Sequence, residues 1–222
     1  MNTYHSWFLL ELMAVMNCRN VEASKSDAPR VSPSPLAPQP GRISEADAAH
    51  VVDFWRAAGP AMWFAKDAVF DRRFREEFTT LYEAAARGEL DTWQRTPNGS
   101  LALLLLLDQY PRNSFRGTER VYATDAQARK IANAAIAAGH DRAIETPLRV
   151  FMYLPFAHSE DLADQERSVE LARTLNVVDL AHAEHHRDIV KRFGRFPHRN
   201  AILGRTPRPE EVRYLADGGY AG

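Results

Sequence analysis

LALLLLLDQYP, residues 101–111, is the stretch whose reading decides the fold. From Leu101 to Leu107 it is apolar on every side, interrupted only by Ala102, so it reads as a helix buried at the centre of a domain. Pro97 opens that helix at a first-turn position that proline tolerates. Asp108-Gln109-Tyr110-Pro111 is expected to end it, because proline removes a backbone donor and its ring crowds the preceding turn.

Upstream, the pattern is helical as well. Ser44 with Asp47 has the form of an N-cap with an acid in the first turn, and Val51, Phe54 and Trp55 make the apolar stripe that follows. Gly59-Pro60 ends this helix. Asp67 caps the next, in which Phe70, Phe74, Phe78, Leu81 and Tyr82 recur at helical spacing opposite Arg72, Arg73, Glu76 and Glu77. Gly88 closes it as a left-handed cap.

Downstream, Thr124 with Gln127 has the form of a capping box, and the alanine-rich helix after it stops at Gly139. Thr146-Pro147 opens a helix carrying Phe151, Met152 and Tyr153, expected to halt at Pro155. Asp161 starts a long helical stretch, bent near Asn176, that Gly194 ends. Pro209-Glu210-Glu211 starts a last short helix. Helix and short loop alternate throughout with no alternating strand pattern, which predicts an all-α domain of antiparallel helical hairpins. Trp55, Trp63, Phe64, Trp93, Tyr110, Tyr153 and Phe156 are assigned to its core.

Residues 43–222 form this domain. Residues 1–42 read as an N-terminal extension and a disordered linker, because Pro29, Pro33, Pro35, Pro38 and Pro40 leave little apolar surface to offset ordering. In 222 residues the formal net charge is -1, which disfavours nucleic acid as the main partner. The single cysteine, Cys18, excludes an internal disulfide and a polythiolate zinc site. Trp7 to Met16 is too short to cross a bilayer and makes a poor signal peptide, so the cytoplasm is the expected location.

Three segments combine helix ends with dense polar residues: LLLLDQYPRNSFRGTERVYATDAQA from residue 104, YLPFAHSEDLADQERS from 153, and HRDIVKRFGRFPHRNAILGR from 186. Together they resemble an uncharacterised bacterial family, domain of unknown function 924 (DUF924), over about residues 45–222. Arg56 and the stretch from Asn176 to Leu180 depart from its pattern. The resemblance implies a helical, tetratricopeptide-like fold and brings no reaction, cofactor or catalytic residue with it.

The residues themselves suggest chemistry. Arg112, Arg116, Arg192, Arg195, Arg199 and Arg205 fall near predicted helix ends, and a guanidinium forks onto carboxylate or phosphate through two hydrogen bonds. Paired with Asp108, Asp125, Glu160, Asp164 or Asp188 they are structural; converging without such partners they bind an anion. The first reading is a site for an anionic small molecule, of hydrolase or transferase type. Arg112, Arg116, Arg195 and Arg199 hold the anion, His158 and His198 carry protons, and Asp108 and Glu160 orient them. The second reading is a non-enzymatic module for a peptide or protein partner, with the arginines buried in structural pairs. A third places a metal at Asp179, His182 and His186, which share a helix face, although the sequence lacks both HExxH and a di-iron pattern.

Overall fold

The computed structural model describes residues 43–222, and every regular element among them is helical. The expectations for residues 1–42, Cys18 included, lie outside the described residues. In chain order the helices are α1 (Glu45–Ala58), α2 (Pro60–Trp63), α3 (Ala68–Ala86), α4 (Pro97–Leu104), α5 (Tyr110–Ser114), α6 (Asp125–Ala137), α7 (His140–Ala143), α8 (Thr146–Ala157), α9 (Leu162–Ala172), α10 (Val177–Phe193) and α11 (Pro209–Ala216). No helix among the described residues is long and apolar enough to cross a membrane.

Leu101 to Leu107 are all fully buried, as their all-round apolarity requires. Burying each leucine contributes about 1.5–3 kcal/mol relative to exposure. Around them α1 presents Trp55, α3 presents Phe74 and Phe78, and α8 presents Phe151, with the Trp55 and Phe151 rings edge to face at 5.3 Å. The C-terminal helices carry smaller clusters of their own, one built from Ile189, Val190, Phe193 and Phe196 with Tyr214 and Tyr220. Gly99 is needed for a close approach: a side chain there would meet the Trp93 carbonyl oxygen at 2.1 Å.

Several local expectations hold. The Ser44 amide donates to Asp47, Asp67 accepts from the Val69 and Phe70 amides, and Gly88 (φ 77°) and Gly194 (φ 69°) take left-handed conformations after their helices.

Others need correction. Pro111 does not end the central helix. The chain passes from α4 through a π-turn, Leu105–Gln109, into α5, with the Tyr110 amide donating five residues back to Leu105. Pro111 has no N–H for the carbonyl of Leu107 four residues earlier, and the Thr124 hydroxyl donates to that oxygen instead, at 2.5 Å. Thr124 still holds the N-cap position of α6, but its side chain caps nothing there, and Gln127, its expected capping-box partner, donates to the Ala85 carbonyl. Pro155 likewise sits inside α8, which runs on to Ala157.

The stretch after Asp161 is two helices rather than one bent helix. Asn176 breaks it by accepting the amides of Val178 and Asp179 as the N-cap of α10. Phe64, assigned to the core, is 46% exposed and covers Phe151 from outside.

The Thr124–Leu107 bond yields a test. Thr124→Val keeps the shape but leaves a buried carbonyl unsatisfied, which costs about 1–3 kcal/mol. Urea denaturation should show the unfolding free energy falling by that amount, as a lower midpoint at unchanged slope; an unchanged midpoint would mean that Leu107 needs no such partner.

Candidate functional site

The π-turn places consecutive polar residues, Asp108 and Gln109, inside the protein, where Asp108 is 1% exposed. A carboxylate so deep must be paired and hydrogen-bonded. Gln109 Nε2 donates to it at 2.7 Å, Arg112 Nη1 lies 3.1 Å away, and His158 Nδ1 lies 2.8 Å away. Burial alone would raise the Asp108 pKa, but the charge of Arg112 and the interaction with His158, with the Gln109 hydrogen bond, outweigh it and hold the pKa at about 2. Asp108 is thus an anion, and His158 Nδ1 donates to it. That leaves Nε2 of His158 as the basic lone pair.

His158 comes from the C-terminal end of α8, where its amide donates to the Leu154 carbonyl. Burial lowers its pKa, with Arg112 adding to the effect against the pull of Asp108, so the imidazole is neutral at pH 7. Arg112, on α5, forks onto Asp125 at the start of α6 with bonds of 2.9 and 3.1 Å. Burial opposes its charge, yet Asp108 and Asp125 prevail and raise its pKa.

Arg199 approaches from the other side, out of the short turn Pro197–Arg199. It is 7% exposed and lies between the rings of Tyr122 and Phe196, with each centroid 4.5 Å from the guanidinium carbon. Its Nη2 donates to the His158 carbonyl at 2.9 Å. Asp125 stands 4.0 Å from Nη1, beyond hydrogen-bonding distance, and the buried Nε has no partner among the described residues. Burial, with Arg112 adding, lowers the Arg199 pKa.

A histidine and tyrosine cluster adjoins this pair. Tyr220 packs edge to face against His186 at 4.8 Å and His198 at 5.1 Å. His186 Nδ1 bonds to the His182 carbonyl within α10. Burial depresses His186 to about 3, and burial with the charge of Arg199 depresses His198 to about 4. Nδ1 of His198 is buried with no partner among the described residues.

The expected residues are thus only partly gathered. Asp108, Arg112, His158 and Arg199 form one hydrogen-bonded and stacked group, with His198 beside it. Glu160 does not orient a histidine. It accepts two bonds from Arg205 and one from the Phe196 amide, fastening the 196–205 segment to the α8–α9 loop. Arg195 forks onto Glu211, which is wholly buried. Arg116 forks onto Asp71 of α3, on another side of α5. Among the described residues, no three His, Cys, Asp or Glu side chains are gathered as a metal ion would need, the Asp179–His182–His186 face included.

Tyr122 and Tyr220 were missed by sequence reasoning. Tyr122 stands inside a polar motif, where an aromatic between charged residues is the available signal. Tyr220 lies among C-terminal glycines with nothing in the sequence to point to it.

The family model described as "Bacterial protein of unknown function (DUF924)" matches residues 51–219. Among solved structures, a protein of unknown function from Agrobacterium tumefaciens is 57% identical with a TM-score of 0.78, and the match covers 78% of this chain and 99% of that one. No curated protein matches the chain.

The depressed histidines set the acid response. A histidine held at about 3 stays neutral in the folded state while the unfolded chain takes up its proton below about 6.5. Stability therefore falls as pH drops through 6.5 and continues to fall toward the folded value. His186→Gln should flatten that decline by about one proton, or about 1.4 kcal/mol per pH unit. Urea titrations between pH 7 and 4 measure the slope; equal slopes for both proteins would contradict the burial of a neutral His186.

Proposed function

Because this chain belongs to the DUF924 family of bacterial proteins, whose name specifies no reaction, we propose its function from the site itself: it binds an anionic small molecule beside the Asp108–His158 pair and acts on it as a hydrolase or transferase. One observation carries the reading. Arg199 is a buried cation with a single hydrogen bond, to a carbonyl, while its Nε has no partner among the described residues. A desolvated guanidinium left this incomplete is costly, and an anionic group is the partner that would complete it.

Asp125 and Glu160 offset part of its charge from a distance. The balance of three carboxylates (Asp108, Asp125, Glu160) against three guanidiniums (Arg112, Arg199, Arg205) suits a ligand of low charge. His158 supplies the chemistry. Asp108 holds its Nδ1 proton, so Nε2 can take a proton from a water or hydroxyl nucleophile and return it to a leaving group. The orienting carboxylate also stabilises the imidazolium that forms in between.

The rival reading, a peptide-binding module, expects every motif arginine to be paired. Arg112, Arg116, Arg195 and Arg205 meet that expectation with hydrogen-bonded acids, whereas Arg199 has only Asp125 at 4.0 Å and no hydrogen bond to it.

Thermal denaturation against a panel of carboxylate- and phosphate-bearing metabolites tests the proposal. A ligand at about one hundred times its Kd stabilises by about 2.7 kcal/mol, a rise of several degrees in Tm. Arg199→Met should fold, because an apolar chain suits the space between Tyr122 and Phe196, and should abolish that rise. Arg199→Lys should keep part of it. If no member of the panel raises Tm, or if Arg199→Met responds as the unmodified protein does, the proposal is wrong.

His158→Gln separates binding from chemistry. It should retain the ligand-induced rise in Tm and lose turnover of that ligand by about a hundredfold or more. Turnover unchanged by this replacement would remove His158 from the mechanism.

A further inference from the structure

Asn113, Ser114 and Arg116 follow Arg112 directly in sequence but turn away from the Asp108–His158 group. With Ala68, Asp71, Arg72 and Arg75 of α3 they line an open hollow of about 330 Å³. We propose that this hollow is a second, separate binding site, for the phosphate group of a small phosphate monoester. The inference does not rest on the function proposed above, with which it shares no residue.

Charge is the first argument. Three guanidiniums border the hollow against one carboxylate, Asp71. That carboxylate is already committed: Arg116 forks onto it at 2.8 and 3.2 Å, and Asn113 Nδ2 donates to it at 2.7 Å. Its effect is to hold Arg116 in place. The guanidiniums of Arg72 and Arg75 have no ion-pair or hydrogen-bond partner among the described residues. Asp67, at the start of the same helix, is engaged with the Val69 and Phe70 amides, and Glu76 is not among the residues that line the hollow. Three positive groups and one negative leave an excess of two, which matches the dianion of a phosphate monoester.

The second argument is a buried polar atom. Ser114 is 9% exposed, and its Oγ has no partner among the described residues. Buried hydroxyls are seldom left unbonded. Ser114 lines the hollow, and its hydroxyl would have to swing outward about χ1 to donate to a phosphate oxygen there.

Size and lining narrow the ligand. About 330 Å³ lies at the lower end of small-molecule sites. Ala68 is the sole apolar residue of the lining, and no aromatic ring offers a base a surface to stack on. The hollow therefore fits a phosphate on a short polar body, not a nucleotide.

Isothermal titration calorimetry at low ionic strength, with glycerol phosphate, inorganic phosphate, sulfate and a short single-stranded oligonucleotide, tests this. Glycerol phosphate should bind with micromolar to millimolar affinity, and more tightly than sulfate at matched ionic strength. The double variant Arg72→Gln/Arg75→Gln should weaken it about tenfold or more, and Ser114→Ala severalfold. Both arginines are exposed, so the double variant should melt at the temperature of the unmodified protein, which excludes unfolding as the cause. Arg199→Met should leave this binding intact, so failure here and failure of the Arg199 site are distinguishable. Three results would each overturn the proposal: no heat with glycerol phosphate at millimolar concentration, equal affinity in the double variant, or tighter binding of sulfate or of the oligonucleotide.

Discussion

Asp108 is a carboxylate buried at the end of a leucine-rich helix, and much of the rest of the protein is arranged around that fact. Removing a charge from water costs several kcal/mol unless the surroundings supply partners. Here three side chains do so, and they come from different distances along the chain. Gln109 is its neighbour, Arg112 is one turn on, and His158 arrives from another helix fifty residues away. Meeting the need of one carboxylate thus joins α5 to the end of α8. It also imposes a tautomer on His158, since the nitrogen facing Asp108 must carry the proton. A structural requirement and a chemical capacity are satisfied by the same contact.

The way Asp108 reaches its position depends on an irregularity. A regular helix through residues 97–114 would have to carry Pro111 with its ring against the carbonyl of Leu107. The π-turn moves the hydrogen-bonding register by one residue, and Thr124 takes over the carbonyl that proline cannot serve. Such turns are frequent where helices carry function. In this protein the turn lets Asp108 and Gln109, adjacent in sequence, both point inward from a helix otherwise lined with leucine. Pro155 also lies within a helix, α8, two residues before the end that presents His158.

Arginine is distributed by whether a carboxylate lies within reach. Arg195 and Arg205 close the C-terminal segment onto Glu211 and Glu160, and their contribution is to hold the turn that carries His198 and Arg199. Arg112 and Arg116, four residues apart, go to opposite neighbours, Asp125 and Asp71. Arg199 is stacked between two rings and lacks a hydrogen-bonded acid. Five similar side chains therefore hold different positions, set by which acid the fold brings near each.

What the sequence by itself determined was the helical class, most helix starts and the central place of Leu101–Leu107. These follow from interactions within a few residues: caps such as Asp67, left-handed glycines such as Gly194, and apolar spacing along a single helix. Its errors at Pro111 and Thr124 share one cause, since in each case a helix signal was read without the neighbour that changes its meaning, the Thr124 hydroxyl on the Leu107 carbonyl. Only the tertiary structure decided which polar residues meet. The pairings of Asp108 with His158, Arg116 with Asp71, and Arg195 with Glu211 span sixteen to fifty residues. A guanidinium carries no mark of its partner in its own codon or its neighbours; it is neutralised, stacked or left wanting by whatever the packing of distant helices sets within about 4 Å of it.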